Sequence, residues 1–166
     1  MEEEYWNLLD ENREDTGEVH KRGEPIPEHR YHLVVRVWIK NAQGEFLMSK
    51  RHPDKPEPFK WEATGGSVTI GEDSLTGAIR EVKEELGLTL NSAHGELMQS
   101  VLRKQHQSFY DVWLFEAEAE INELTLQHDE VVDVKWMTTE EIERLHSENQ
   151  LLPTLDYFRQ MIHASE

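Results

Sequence analysis

The chain has 166 residues and a mass of 19.5 kDa, enough for one domain with a substantial core. Hydrophobic residues make up 37% of it, a globular composition, and the formal net charge of -17 argues against binding a nucleic-acid backbone or an anionic membrane. The absence of cysteine excludes disulfides, thiolate zinc sites and a cysteine nucleophile. No apolar run after the acidic Met1-Glu2-Glu3-Glu4 start is long enough for a signal or a span, so the reading is a soluble, cytoplasmic monomer or homodimer.

In chain order, residues 1–23 read as two short β segments around the polar turn of residues 10–15, and Glu24-Pro25-Ile26-Pro27 breaks the chain after them. Residues 1–27 are therefore taken as a β extension packed on a domain of residues 28–166. Tyr31 to Lys40 is the first strong strand. Tyr31, Leu33, Val35, Val37 and Ile39 share one face, and Val34 and Trp38 make the other partly apolar, which places it centrally. Asn41 to Gly44 is a hairpin turn into a strand from Glu45 to Arg51, followed by a proline-punctuated loop over residues 52–58. Trp61-Glu62-Ala63-Thr64 reads as a lead-in to the stretch that organises the chain, residues 65–88.

Within that stretch Leu75, Ala78, Ile79, Val82 and Leu86 fall at helical spacing on one apolar stripe. Asp73 or Ser74 can cap the start, and Gly87 suits a left-handed C-terminal cap. Gly77, inside the helix, costs about 0.8–1.0 kcal/mol relative to Ala and suggests close packing. Ala93 to Arg103 and Phe109 to Ala119 read as paired strands turning at residues 105–108, and Val131 to Trp136 as a further strand. Thr138 or Thr139 caps a helix through His146, and Pro153 opens a last helix through about His163 with Leu152, Leu155, Phe158, Met161 and Ile162 inward. Trp38, Trp61 and Trp113 are read as core rather than as a ligand pocket, and the nine histidines show no pair at helical ligand spacing.

The chemistry sits on the glutamate-rich helix. Glu81, Glu84 and Glu85 stand at i, i+3 and i+4, where like charges cost roughly 0.2–0.5 kcal/mol per pair, so a cation should be holding them. Clustered carboxylates are hard oxygen ligands suited to Mg²⁺ or Mn²⁺. The Thr64-Gly65-Gly66 turn brings backbone close, since glycine permits φ > 0 and near approach. Arg80 can pair with Glu72 or Glu84 and hold the loop on the helix. Lys83 reads as a solvated counter-charge. Lys50, Arg51, Lys55 and Lys60 form a basic group just ahead, suited to meet a diphosphate.

From Gly66 the pattern is G-x5-E-x7-R-E-U-x-E-E-x-G-U with U apolar, filled by Gly66, Glu72, Arg80, Glu81, Val82, Glu84, Glu85, Gly87 and Leu88. Seven such identities and two apolar positions arise by chance on the order of once in 10⁹ start positions. The pattern resembles the box of the Nudix hydrolase family, over residues of about 30–147. The resemblance implies an α/β fold, the Nudix α/β/α sandwich with a mixed central sheet. It implies a Mg²⁺- or Mn²⁺-dependent hydrolase of a small organic diphosphate, nucleoside-linked or related. Glu81, Glu84, Glu85 and the carbonyl of Gly65 or Gly66 would be metal ligands and Arg80 a supporting residue. Glu81 is a possible base, and Glu130, at a position where many members carry a further carboxylate, a ligand, a base or a plain loop acid. Lys50-Arg51, the proline loop and Trp61 are also similar to isopentenyl-diphosphate isomerase, but Ala63-Thr64-Gly65 stands where that enzyme needs a cysteine. The intact glutamates speak against a non-catalytic binding module.

Overall fold

In a computed structural model, residues 3–164 are described. Strands β1 (Tyr5–Leu9) and β2 (Asp15–Lys21) form an antiparallel hairpin. A seven-stranded mixed sheet follows, built from β3 (His32–Lys40), β4 (Phe46–Arg51), β5 (Trp61–Glu62), β6 (Thr64–Ser67), β7 (Gly95–Arg103), β8 (Ser108–Glu116) and β9 (Val131–Met137). Its main path runs β5-β4-β3-β8-β7, with β6 on β3 and β9 on β4. Helix α1 (Ser74–Leu86) covers one face, and α2 (Thr139–Ser147) and α3 (Phe158–Ile162) cover the other.

β3 is central because its residues are apolar in both registers. Val35, Val37 and Ile39 pack with Ala78, Val82 and Leu86 of α1, while Trp38 packs with Ile142, Leu155, Phe158 and Met161 on the opposite side. Each face therefore buries its own core, the two-sided requirement of a three-layer α/β domain. β3 and β8 run parallel from His32↔Ser108 to Lys40↔Glu116.

Several expectations needed correction. The turn after β3 forms, with Gly44 at φ 80°, yet β3 and β4 share only the pair Lys40↔Phe46. Residues read as a lead-in form two strands instead: β6 pairs with β3 from Val34↔Ser67 to Val37↔Thr64, and β5 pairs with β4. β6 takes the edge that a plain hairpin would have used. The strand expected from Ala93 starts at Gly95, after a 3-10 turn capped by Asn91, and its partner ends at Glu116 rather than Ala119. The last helix is broken into a 3-10 turn over Pro153–Leu155 and the short α3. The 3-10 spacing of three sets Leu152 and Leu155 on one side, and α3 then buries Phe158, Met161 and Ile162.

α1 is fixed by its ends. Asp73 is the N-cap, accepting from Thr76 N at 2.8 Å, and Gly87 closes the helix at φ 71°. Ser74, the other candidate cap, accepts the Trp113 indole N–H at 2.9 Å. Gly77 has a packing reason: a β-carbon there would lie 2.8 Å from Val68 Cγ2. Among the described residues no helix is long and apolar enough to cross a membrane.

Candidate active site

A cleft of about 320 Å³ opens between α1, β6 and the loops after β4 and before β9. Glu81, Glu84 and Glu85 line it from α1. Glu81 and Glu85, one turn apart, are buried at 7% and 4% exposure, whereas the Glu84 side chain is about half exposed. Arg80 lies behind them. Its guanidinium donates to both oxygens of Glu72 at 2.7 and 3.0 Å, to Ser67 O at 3.1 Å, and to Glu81 and Glu84 at 3.2 and 3.1 Å. Glu72 in turn accepts from the backbone and hydroxyl of Thr69. One arginine therefore ties the loop before α1 to β6 and holds two cleft carboxylates in place. Lys83 is exposed on the far side of the helix.

The glycine pair is required for proximity, not for positive φ. Gly65 and Gly66 are extended residues of β6, and neither is among the residues with positive φ. A β-carbon at Gly66 would lie 2.5 Å from the Glu81 carboxyl, and one at Gly65 2.5 Å from the Val35 carbonyl oxygen. The bare backbone is what lets strand and carboxylate meet.

Across the cleft stand Arg36, Arg51, Lys55, Glu62 and Glu130. Glu62 is buried between two arginines: Arg36 Nη1 donates to Oε1 at 3.2 Å and Arg51 Nη1 to Oε2. Arg36 also donates to the Ala63 carbonyl at 2.8 Å and to the Tyr110 hydroxyl at 3.3 Å. Lys55 pairs with Glu130. Arg51, Lys55 and Glu130 thus reach the cleft, but Lys50 and Lys60 do not. Lys50 sits over the rings of Phe59 and Trp61, and Lys60 donates to the Asn149 carbonyl. Strand alternation sends Lys50 to the face opposite Arg51. Arg36 and Glu62 were missed. The available signal was a charged residue inside the apolar run Val34-Val35-Arg36-Val37-Trp38, since a buried arginine needs a partner. Glu4 and Arg22 of the hairpin also line the cleft and were not foreseen.

Burial sets the electrostatics. It pushes the Glu81 carboxyl up to about 7, with Arg80 opposing and the Glu84 charge adding. Burial likewise raises Glu85 well above the ordinary carboxylate range, and Glu81, Glu62 and Glu130 add to it while Lys55 opposes. Among the described residues no three acidic or imidazole groups converge enough to cage an ion as they lie, with Glu81 and Glu84 both drawn to Arg80 Nη1. The donor chemistry nevertheless fits a hard divalent cation. It offers oxygens alone, two buried acids that resist charging without a counter-ion, and a bare glycine backbone at closest approach.

An α/β/α sandwich with a glutamate-bearing helix facing arginines and a lysine across a cleft has the layout of a phosphate-handling hydrolase. The comparisons make the class specific: the NUDIX domain matches residues 30–157, and the chain belongs to the Nudix hydrolase family. An uncharacterised Nudix hydrolase of Listeria innocua is 41% identical over 152 residues, covering 90% of this chain and 89% of that protein. One from Clostridium acetobutylicum is 29% identical over 163 residues, covering 87% and 74%. A crystal structure from Deinococcus radiodurans shares the fold with a TM-score of 0.75 at 22% identity, covering 97% of this chain and 98% of its own. A MutT protein from Methanosarcina mazei has a TM-score of 0.60 at 27% identity, covering 81% and 91%.

Proposed function

We propose that the protein is a Mg²⁺- or Mn²⁺-dependent pyrophosphohydrolase. Its substrate is a small organic diphosphate, nucleoside-linked or related, cleaved by water attack at phosphorus. The observation that carries this reading is the buried pair Glu81 and Glu85, with Glu81 packed against the bare backbone of Gly66 and both facing Arg51 and Lys55 across one cleft. Two buried acids whose ionised forms are disfavoured are a binding site awaiting positive charge.

Glu81, Glu84, Glu85 and the Gly65 carbonyl hold the metal in this reading. A divalent ion held there would supply a Lewis acid for the phosphate oxygens and would make water a better nucleophile. Arg80 is a positioning residue: it fixes the Glu81 and Glu84 carboxylates through bonds of 3.2 and 3.1 Å and anchors the preceding loop. Arg51 and Lys55 orient the diphosphate and neutralise charge that develops on it. Glu130, held by Lys55, accepts the proton of the attacking water or joins the metal shell.

A screen of nucleotide and other organic diphosphates with Mg²⁺, followed by phosphate-bond cleavage, tests the reading. Cleavage of at least one compound is expected, with none after chelation. Full turnover in excess EDTA would overturn it.

A further inference from the structure

The hairpin of β1 and β2 lies before the matched segment of residues 30–157, yet it supplies two residues, Glu4 and Arg22, to the wall of the cleft. It is pinned at several points. Tyr5 O accepts from Ile70 N at 2.9 Å, in the loop that leads to α1. Leu9 and Tyr31 exchange backbone bonds of 2.8 and 3.0 Å. Trp6 stacks on His32 with centroids 4.3 Å apart, and His32 Nδ1 lies 3.3 Å from Ser67 Oγ, next to Gly66. At the tip, Arg13 forms a bidentate pair with buried Asp111 at 2.7 and 2.6 Å. The hairpin is a fixed wall of the cleft, and Arg22 is held on it by the bond from its own N–H to Glu4 O at 2.9 Å.

The cations of the cleft differ in how firmly they are committed. Arg36 and Arg51 are about nine-tenths buried and share buried Glu62, so withdrawing either leaves an uncompensated charge. Arg22 is 60% exposed, and its one side-chain partner among the described residues is Glu4, at 3.0 Å. An exposed pair of this kind contributes little, so an incoming anion displaces the carboxylate easily. Glu4 and Arg22 line the same cleft as Glu81, Glu84 and Glu85, which puts the pair within one site with the carboxylates of α1.

Building on the proposed diphosphate hydrolysis, we infer that Arg22 is a specificity-determining residue that binds a free terminal phosphate of the substrate, with Glu4 occupying that position until the phosphate arrives. The guanidinium fork matches a dianionic terminal phosphate, which offers three non-bridging oxygens and more charge, against the two oxygens and single charge of a phosphate substituted on both sides. The hairpin thereby selects nucleoside diphosphates or similar monoesters over diphosphates capped at both ends.

The test is calorimetric binding to the full Mg²⁺-loaded chain, using two non-hydrolysable probes, α,β-methylene-UDP with its free terminal phosphate and α,β-methylene-UDP-glucose with that phosphate esterified. Arg22→Ala is expected to weaken the first at least tenfold and the second less than threefold, with little change in melting temperature. Arg22→Lys should recover part of the loss, and Glu4→Gln should tighten the first probe several-fold. Equal weakening of both probes, or none of either, overturns the inference. Glu84→Gln separates the two claims: if it weakens both probes while Arg22→Ala weakens neither, the cleft is right and the role of Arg22 is wrong. If the parent binds neither probe, the inference about Arg22 falls, while the hydrolase reading stands or falls with the diphosphate screen.

Discussion

Glu81 carries the clearest consequence of burying an acid. Its carboxyl lies at about 7 in the folded chain against 4.5 ordinarily, so its contribution to stability is complete below about 4.5 and is lost as pH rises through 7. At about 1.36 kcal/mol per pKa unit, a rise from 4.5 to about 7 makes the loss somewhat more than about 3 kcal/mol without metal. His32 runs the other way: burial holds it down to about 4, so it weakens the fold as pH falls below 6.5. Total stability between those values conceals both effects, and the difference between variant and parent is the better measure. Glu81→Gln is expected to be stabilising in EDTA by an amount that grows from pH 5 to pH 8, read by urea denaturation. A pH-independent difference would mean the carboxyl is not forced to ionise in a buried site. The kinetic counterpart is a loss of 10²–10³-fold in kcat for Glu84→Gln and Glu85→Gln on a cleaved substrate at saturating Mg²⁺. Near-parental kcat in both would remove α1 from catalysis. Glu130→Gln should fall into the same range if its carboxylate acts on water or metal, and should be nearly silent if its partner Lys55 is its whole role.

At the level of elements, α1 was legible because everything that defines it is local: an apolar stripe, Asp73 at one end and Gly87 at the other. The cap of α2 was readable for the same reason down to Thr138 or Thr139, and the structure selects Thr138, in a capping box with Glu141. β5 and β6 were not. They are two and four residues long and include Gly65 and Gly66, so no alternation can develop; they exist because β3 and β4 offer edges far away in sequence. The site divided along the same line. The glutamates of one helix turn could be read from spacing, whereas Arg36, Glu62 and Arg22 reach the cleft only through strand pairing and hairpin packing. The hairpin itself depends on a long-range ion pair. Asp111 is fully buried, with Arg13 as its counter-ion and hydrogen bonds from Arg13, Ser74 and Ser100. Arg13→Ala should therefore cost about 3–5 kcal/mol, since it leaves a buried charge without its counter-ion. Arg13→Ala with Asp111→Asn should recover a large part of that, and additive losses in the double-mutant cycle would show that the pair does not hold the hairpin.

For the whole molecule, the acidic balance and the cleft chemistry combine into one linkage. A chain with net charge -17 repels itself, and the carboxylates of the cleft concentrate that repulsion where Glu81 and Glu85 are already reluctant to ionise. A divalent ion that binds the folded chain alone stabilises it by about 2.7 kcal/mol at a hundred times its Kd. For a chain of this length that corresponds to a rise in Tm of roughly 5–11 °C. Metal ligands must be deprotonated to bind, so an ion held as proposed would displace whatever protons Glu81 and Glu85 hold. With Glu81 titrating at about 7 and Glu85 raised as well, Mg²⁺ added at pH 6.5 is expected to release protons, and the share that comes from Glu81 falls as pH approaches 9. Calorimetry in buffers of different ionisation enthalpy measures that release directly, and thermal melts in Mg²⁺ and in EDTA measure the stabilisation. Glu85→Gln should reduce both together. If Mg²⁺ raises Tm with no proton release at pH 6.5, the ion sits on surface acids, and the buried pair of α1 is not its site.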